Sequence, residues 1–238
     1  MYQITLASDK RFFDWVDIIA GRIKAEIENS VVIKYKERER VYLGVALKEK
    51  GNADKVVFDV LYDFFLKDVK GQYLYSIIKR YAINEFLVQV YIKILKCFNT
   101  VEEKDILRQS MKLYSHFSLD GFYKFRLAPL KEKWDELVAL TYNNIDLLKD
   151  EESFVLLIEN LISCLPISTK SAYIEYNNDT FGLKFSNGKN MQCNSEEEVI
   201  FTLIENLPER VIFSKNNAKK DKCLRIESVF GARFVQIK

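Results

Sequence analysis

The segment Ala53-Asp54-Lys55-Val56-Val57-Phe58-Asp59-Val60-Leu61-Tyr62-Asp63-Phe64-Phe65-Leu66-Lys67-Asp68 decides the fold class. Here the apolar period changes from two to that of a helix and keeps it for about a hundred residues. Asp59, Asp63 and Lys67 form one i, i+4 row, while Val57, Phe58, Val60, Leu61, Phe64 and Phe65 cover the rest. A helix wrapped that widely in apolar groups is buried on most sides. Upstream, Tyr2, Ile4 and Leu6 alternate with Gln3 and Thr5, the pattern of a half-buried strand. Ser8 or Asp9 is placed to cap a following helix, whose Phe12, Val16, Ile19, Ile23 and Ile27 recur at spacings of three and four. Residues 31–35 and 41–47 are β-branched or aromatic and predict a hairpin with a charged tip, Lys36-Glu37-Arg38-Glu39-Arg40, before a loop at Gly51-Asn52.

Downstream of Gly71, residues 73–98 predict a second long helix and residues 102–114 a third. A fourth spans 130–148, with Pro129 in its first turn, and a fifth spans 151–165, stopped by Pro166. Along the second, Tyr73, Tyr75, Tyr81 and Tyr91 interleave with cations, which reads either as a core with wet phenol tips or as a surface for stacking bases. Period two returns at 172–176 and 181–185, around the turn Asn177-Asn178-Asp179-Thr180. Ser195-Glu196-Glu197-Glu198 is a capping box, and Pro208 ends the helix it opens. Residues 211–213, a helix at 219–230 and residues 233–237 then give β-α-β. The expected fold is α+β: a helical region over 53–165, flanked by an N-terminal β-α-β-β unit over 1–52 and a C-terminal ββαβαβ unit over 166–238.

The chain has 238 residues, 48% hydrophobic and 29% charged, with only 8 Gly and 3 Pro, a globular composition that favours helices over a turn-rich sandwich. Cys97, Cys164, Cys193 and Cys223 form no C-x-x-C pair, as suits small hydrophobes in a reducing compartment. The start lacks the basic-then-apolar order of a signal peptide, and the longest uncharged run, 160–169, is far shorter than the ~18 residues of a span. A cytoplasmic protein with no membrane span is expected.

A single histidine excludes sites that need two but could still serve as a base beside a Ser or Cys nucleophile, although no G-x-S-x-G occurs; with no G-x-G-x-x-G or P-loop either, neither metal nor cofactor is expected. The acidic pairs Glu102-Glu103 and Glu151-Glu152 fall at helix starts, where the macrodipole explains them. The net charge of +2 is uneven: from Val211 to Lys238 seven Lys or Arg face Asp221 and Glu227, a local +5. Lys215, Lys219, Lys220, Lys222, Arg225 and Arg233 therefore form a candidate anion or nucleic-acid surface.

The other candidate is residues 116–127. In one reading it joins two helices, with Asp120 as cap, Gly121 for backbone freedom, and Phe122 and Phe125 as core anchors. In the other, Lys124 and Arg126 project from a rigid aromatic base beside His116, with Asp120 completing a binding site for an anion or peptide.

Leu119-Asp120-Gly121-Phe122-Tyr123-Lys124-Phe125-Arg126-Leu127, followed by Trp134-Asp135-Glu136-Leu137, resembles the Gly-Phe-x-x-Phe-Arg-Leu core segment of the YtxC-like sporulation proteins of endospore-forming Firmicutes. Residues 203–212 and 229–234 are similar to that family's closing helix-Pro-strand and Phe-Gly turn, although Ser214 stands where members often place a histidine. The resemblance implies a cytoplasmic, sporulation-associated protein and supplies no catalytic residues. The expected function is a non-enzymatic protein-interaction module, with nucleic-acid binding through the C-terminal cations as the alternative.

Overall fold

The computed structural model describes residues 2–27, 30–47, 53–177, 179–214 and 224–237. The chain begins with β1 (Tyr2–Asp9), α1 (Phe13–Glu26), β2 (Val31–Glu37) and β3 (Arg40–Leu47). The helical stretch holds α2 (Ala53–Asp63), α3 (Lys70–Ile78), α4 (Glu85–Cys97) and α5 (Thr100–Ser110), then a short β4 (His116–Ser118), α6 (Leu119–Phe125), α7 (Ala128–Asn143) and α8 (Glu151–Cys164). The remainder is β5 (Thr169–Asn177), β6 (Thr180–Phe185), β7 (Asn190–Cys193), α9 (Glu196–Asn206), β8 (Pro208–Ser214), α10 (Leu224–Phe230) and β9 (Phe234–Ile237). The fold is α+β, with two sheets and a helical region between them in the chain. Among the described residues no helix is long and apolar enough to cross a membrane.

The chain divides into two compact units, residues 1–73 with 99–137 and residues 74–98 with 138–238. Neither of the divisions expected near residues 52 and 165 separates them; the chain crosses inside α3, after α4 and inside α7.

In the first unit the sheet order is β2-β3-β1-β4. β1 runs antiparallel to β3, from Tyr2↔Leu47 to Asp9↔Arg40, and parallel to β4, from Thr5↔His116 to Ala7↔Ser118. Period two puts Ile4, Leu6, Val41, Leu43, Val45 and Leu47 on the buried face, where Val16, Ile19 and Ile23 of α1 meet them. Capping of α1 differs from expectation. Asp9 binds Arg11 instead, accepting from its backbone N–H at 2.9 Å and its Nε at 3.0 Å, and a 3-10 turn over Lys10–Phe12 leads into the helix.

Helix α2 does not stop near Asp68. It passes through a π turn, Phe64–Val69, into α3, with the Lys70 N–H donating to the Phe65 carbonyl. The extra residue in that turn buries Phe64, Phe65, Leu66 and Val69 together, and Gly71 lies inside a helix rather than between two. The turn also carries Lys70 into the core. Lys70 and Glu103 are both 0% exposed, with Nζ 2.7 Å from Oε1 and 3.0 Å from Oε2. Burial raises the Glu103 carboxyl above its ordinary range, opposed by Lys70 and by the neighbouring Trp134 side chain.

The second unit holds the order β7-β6-β5-β8-β9, in which β5 pairs antiparallel with β6 and parallel with β8. The helix expected over 73–98 is broken: residues 79–84 leave it, and Asn84, in extended conformation, restarts α4 by accepting from the Leu87 N–H at 3.1 Å. Tyr91 in α4 is fully buried against Phe154 of α8, ring centroids 5.6 Å apart. Half of the expected capping box forms: Ser195 Oγ accepts from the Glu198 N–H at 3.1 Å, but Glu198 accepts from the Asn194 N–H at 2.7 Å, one residue before the cap, rather than from Ser195 itself. Strand β7 adds to the expected ββαβαβ order; it is four polar-rich residues folded back through a turn at Gly188, φ +87°. The expected helix start at Lys219 lies outside the described residues, as do Gly51-Asn52.

Candidate functional site

Residues 116–127 are built on β4 and α6. The Thr5 N–H donates to the Ser115 carbonyl at 2.8 Å, and buried Phe117, Leu119 and Phe122 anchor the segment. Ser118, not Asp120, caps α6, its Oγ accepting from the Gly121 N–H at 3.2 Å. Asp120 is buried and bound by Arg40 Nη2 at 2.9 Å, with Ser118 Oγ donating to the same oxygen at 3.0 Å. A short carboxylate in that position serves to neutralise Arg40 at the start of β3.

Gly121 is needed for close approach rather than for a positive φ. A Cβ there would stand 2.9 Å from Ser118 Oγ and 3.2 Å from Ser118 Cβ. Gly121→Ala is therefore expected to displace the cap and cost about 1–2 kcal/mol by urea denaturation. The cost should shrink in a Ser118→Ala background, because both substitutions act on one hydrogen bond.

Phe125 departs from the expected core role: it is 80% exposed. Helix α6 ends there, and fully buried Leu127 takes over as the next anchor. Phe125 instead lines a cleft of about 750 Å³ with Tyr114, itself 69% exposed, and with Lys112, His116 and Arg126. Among the described residues lining it there is no carboxylate. His116 Nδ1 lies 3.2 Å from Ser115 Oγ, and the imidazole and Arg126 are both solvent-exposed.

Two of the four candidate residues thus share the cleft and two do not. Asp120 is held inside by Arg40, and Lys124 is exposed on the side of Asp9. The Asp9 carboxyl is held well below the usual carboxylate range, first by hydrogen bonds from Arg11 and to a lesser degree by the charge of Lys124. Sequence reasoning missed Tyr114 and Lys112, which precede the segment, and took Phe125 for core because its spacing from Phe122 is helical.

Of the C-terminal cations, Lys215, Lys219, Lys220 and Lys222 lie outside the described residues. Arg225 sits 5.2 Å over the Phe86 ring with Nη1 3.3 Å from Glu197, while Glu196 accepts from the Arg225 and Ile226 N–H groups at the start of α10. Arg233 closes the end of α8. Its Nη2 donates to the carbonyls of Ile162 at 2.8 Å and Leu165 at 3.3 Å, and Nη1 to that of Pro208 at 3.3 Å. Burial lowers the pKa of this guanidinium, which is committed to the fold rather than to an anion. The interleaved tyrosines are likewise engaged: Tyr73 by Asp135, Tyr75 by Glu85, Tyr81 against Tyr142, and Tyr91 by Thr141.

No protein-family model, curated protein or solved structure matches the chain. Among the described residues no group of three or more His, Cys, Asp or Glu is placed to hold a metal ion.

Proposed function

We propose that the protein is a non-catalytic interaction module that docks an acidic, aromatic-bearing peptide segment in the cleft of Tyr114, His116, Phe125 and Arg126. The observation that carries this reading is the lining itself. Two large aromatics stand exposed in a concave site beside Lys112, His116 and Arg126, without a carboxylate to neutralise them. Exposed aromatics supply contact area at little entropic cost, and a guanidinium binds carboxylates bidentately. A cytoplasmic, sporulation-associated setting, implied by the resemblance of residues 119–127 to YtxC-like proteins, belongs to the same proposal. Nucleic-acid binding through the C-terminal cations has less support, since Arg225 and Arg233 are engaged within the unit.

Fluorescence anisotropy tests the reading with three labelled probes: a glutamate-phenylalanine peptide, a lysine-phenylalanine peptide and oligo(dT). The acidic peptide should bind best. Phe125→Ala and Arg126→Glu should each weaken it by about tenfold or more, as expected of interface anchors, with the melting temperature unchanged because both side chains are exposed. Equal binding of the two peptides, or variants that bind like the parent, would refute it. Preference for oligo(dT) would reassign the cleft to single-stranded nucleic acid.

A further inference from the structure

Strand β4 is the outermost strand of its sheet: the order β2-β3-β1-β4 leaves the side of β4 away from β1 without a partner strand among the described residues. All three of its residues, His116, Phe117 and Ser118, line the cleft described above. The register Thr5↔His116 and the Thr5 N–H donated to the Ser115 carbonyl at 2.8 Å fix which backbone groups β1 uses. In a parallel ladder alternate residues turn to opposite neighbours. The N–H and C=O of Phe117 therefore face β1, while those of His116 and the N–H of Ser118 face the open side. Among the described residues none of these three groups takes part in a hydrogen bond. His116 and Ser118 are exposed and Phe117 is buried, so water reaches the two residues whose backbone is unpaired.

The opposite edge of the sheet differs. Strand β2 carries Lys34 and Lys36, charges of the kind that discourage a further strand, whereas β4 carries neither lysine nor proline. An unpaired strand edge in the wall of a cleft suits an extended chain, whose main chain bonds to the edge while its side chains enter the pocket. We propose that the peptide docks by adding a fifth strand to this four-stranded sheet, its backbone pairing with His116 and Ser118. Its acidic side chains then reach Lys112 and Arg126, and its aromatic ones pack on Tyr114 and Phe125. This rests on the reading of the cleft as an acidic-peptide site and adds the conformation of the ligand, which is extended.

Three forms of the glutamate-phenylalanine peptide test this on the whole chain: unmodified, and N-methylated at one or the other set of alternate residues. In a paired strand neighbouring amides point to opposite sides, so a methyl group blocks the edge in only one of the two sets. One methylated form should bind weaker by about tenfold or more, and the other should bind like the unmodified peptide. Amide hydrogen exchange gives a second readout. The His116 N–H should exchange slower by about tenfold or more when the unmodified peptide is bound, because a peptide carbonyl then accepts from it. Two methylated forms that both bind like the unmodified peptide, or that are weakened equally, overturn strand addition and leave the cleft reading standing. Unchanged exchange at His116 in the complex does the same. Failure of the unmodified peptide to bind overturns both.

Discussion

Lys70→Met should destabilise the protein by roughly 3–5 kcal/mol, because it strands a buried carboxylate that has lost the cation paired with it. Lys70 and Glu103 are both fully buried and in direct contact, so neither can turn to water when its partner is removed. Replacing both, as Lys70→Met with Glu103→Leu, should recover most of the loss, since an apolar pair of similar volume needs no compensation. The single variant should also acquire a pH dependence. The folded-state pKa of Glu103 is already raised by burial, and loss of Lys70 raises it further. A group whose folded pKa exceeds its unfolded one loses stability as pH rises through that interval, so the deficit should be smallest in acid and grow towards neutral pH. Urea midpoints at several pH values measure this, and a pH-independent deficit would show that the carboxylate is not the origin of the cost.

Arg233→Ala should cost about 3 kcal/mol, from the loss of charge-assisted donors to three backbone carbonyls at the end of α8 and the start of β8. Arg233→Lys should recover only part of this, because one ammonium cannot span the fork that the guanidinium fills. Thermal unfolding of the two variants against the parent decides the matter. Equal stability of Arg233→Ala and the parent would remove the capping role and return this cation to the surface that its charge alone had suggested.

What the sequence made legible follows from how local each signal is. The β2–β3 hairpin, the α1 stripe, the cap at Ser195 and the stop at Pro166 depend on neighbours within a few residues, and each occurs where the pattern places it. The break after Ile78 was hidden because apolar residues continue at helical spacing through it, and only the Asn84 side chain turning back to Leu87 marks the restart. Strand β4 is three residues long and gains its identity from pairing with β1, more than a hundred positions earlier. Burial of Lys70 requires a carboxylate 33 residues away and a π turn to aim at it, neither of which a period reveals. At the cleft, His116 and Arg126 were identifiable as exposed polar groups beside aromatics. That Phe125 faces water and Asp120 does not depends on where α6 ends and on Arg40 reaching across from β3.

Because each compact unit is assembled from two separated stretches of chain, residues 74–98 of the second unit are released before the first unit is complete. Helix α4 emerges carrying Leu87, Val88, Val90, Tyr91, Ile92, Ile94 and Leu95, all destined for burial, but its packing partners α8 and α9 have not yet been made. At typical synthesis rates the wait for α8 lasts on the order of several seconds, during which an unsheltered apolar helix hangs from a neighbour that is itself unfinished. Co-translational capture by holding chaperones is thus expected to peak between the release of α4 and that of α8. Slower decoding just after α4 would lengthen that exposure, whereas faster decoding through α8 would end it.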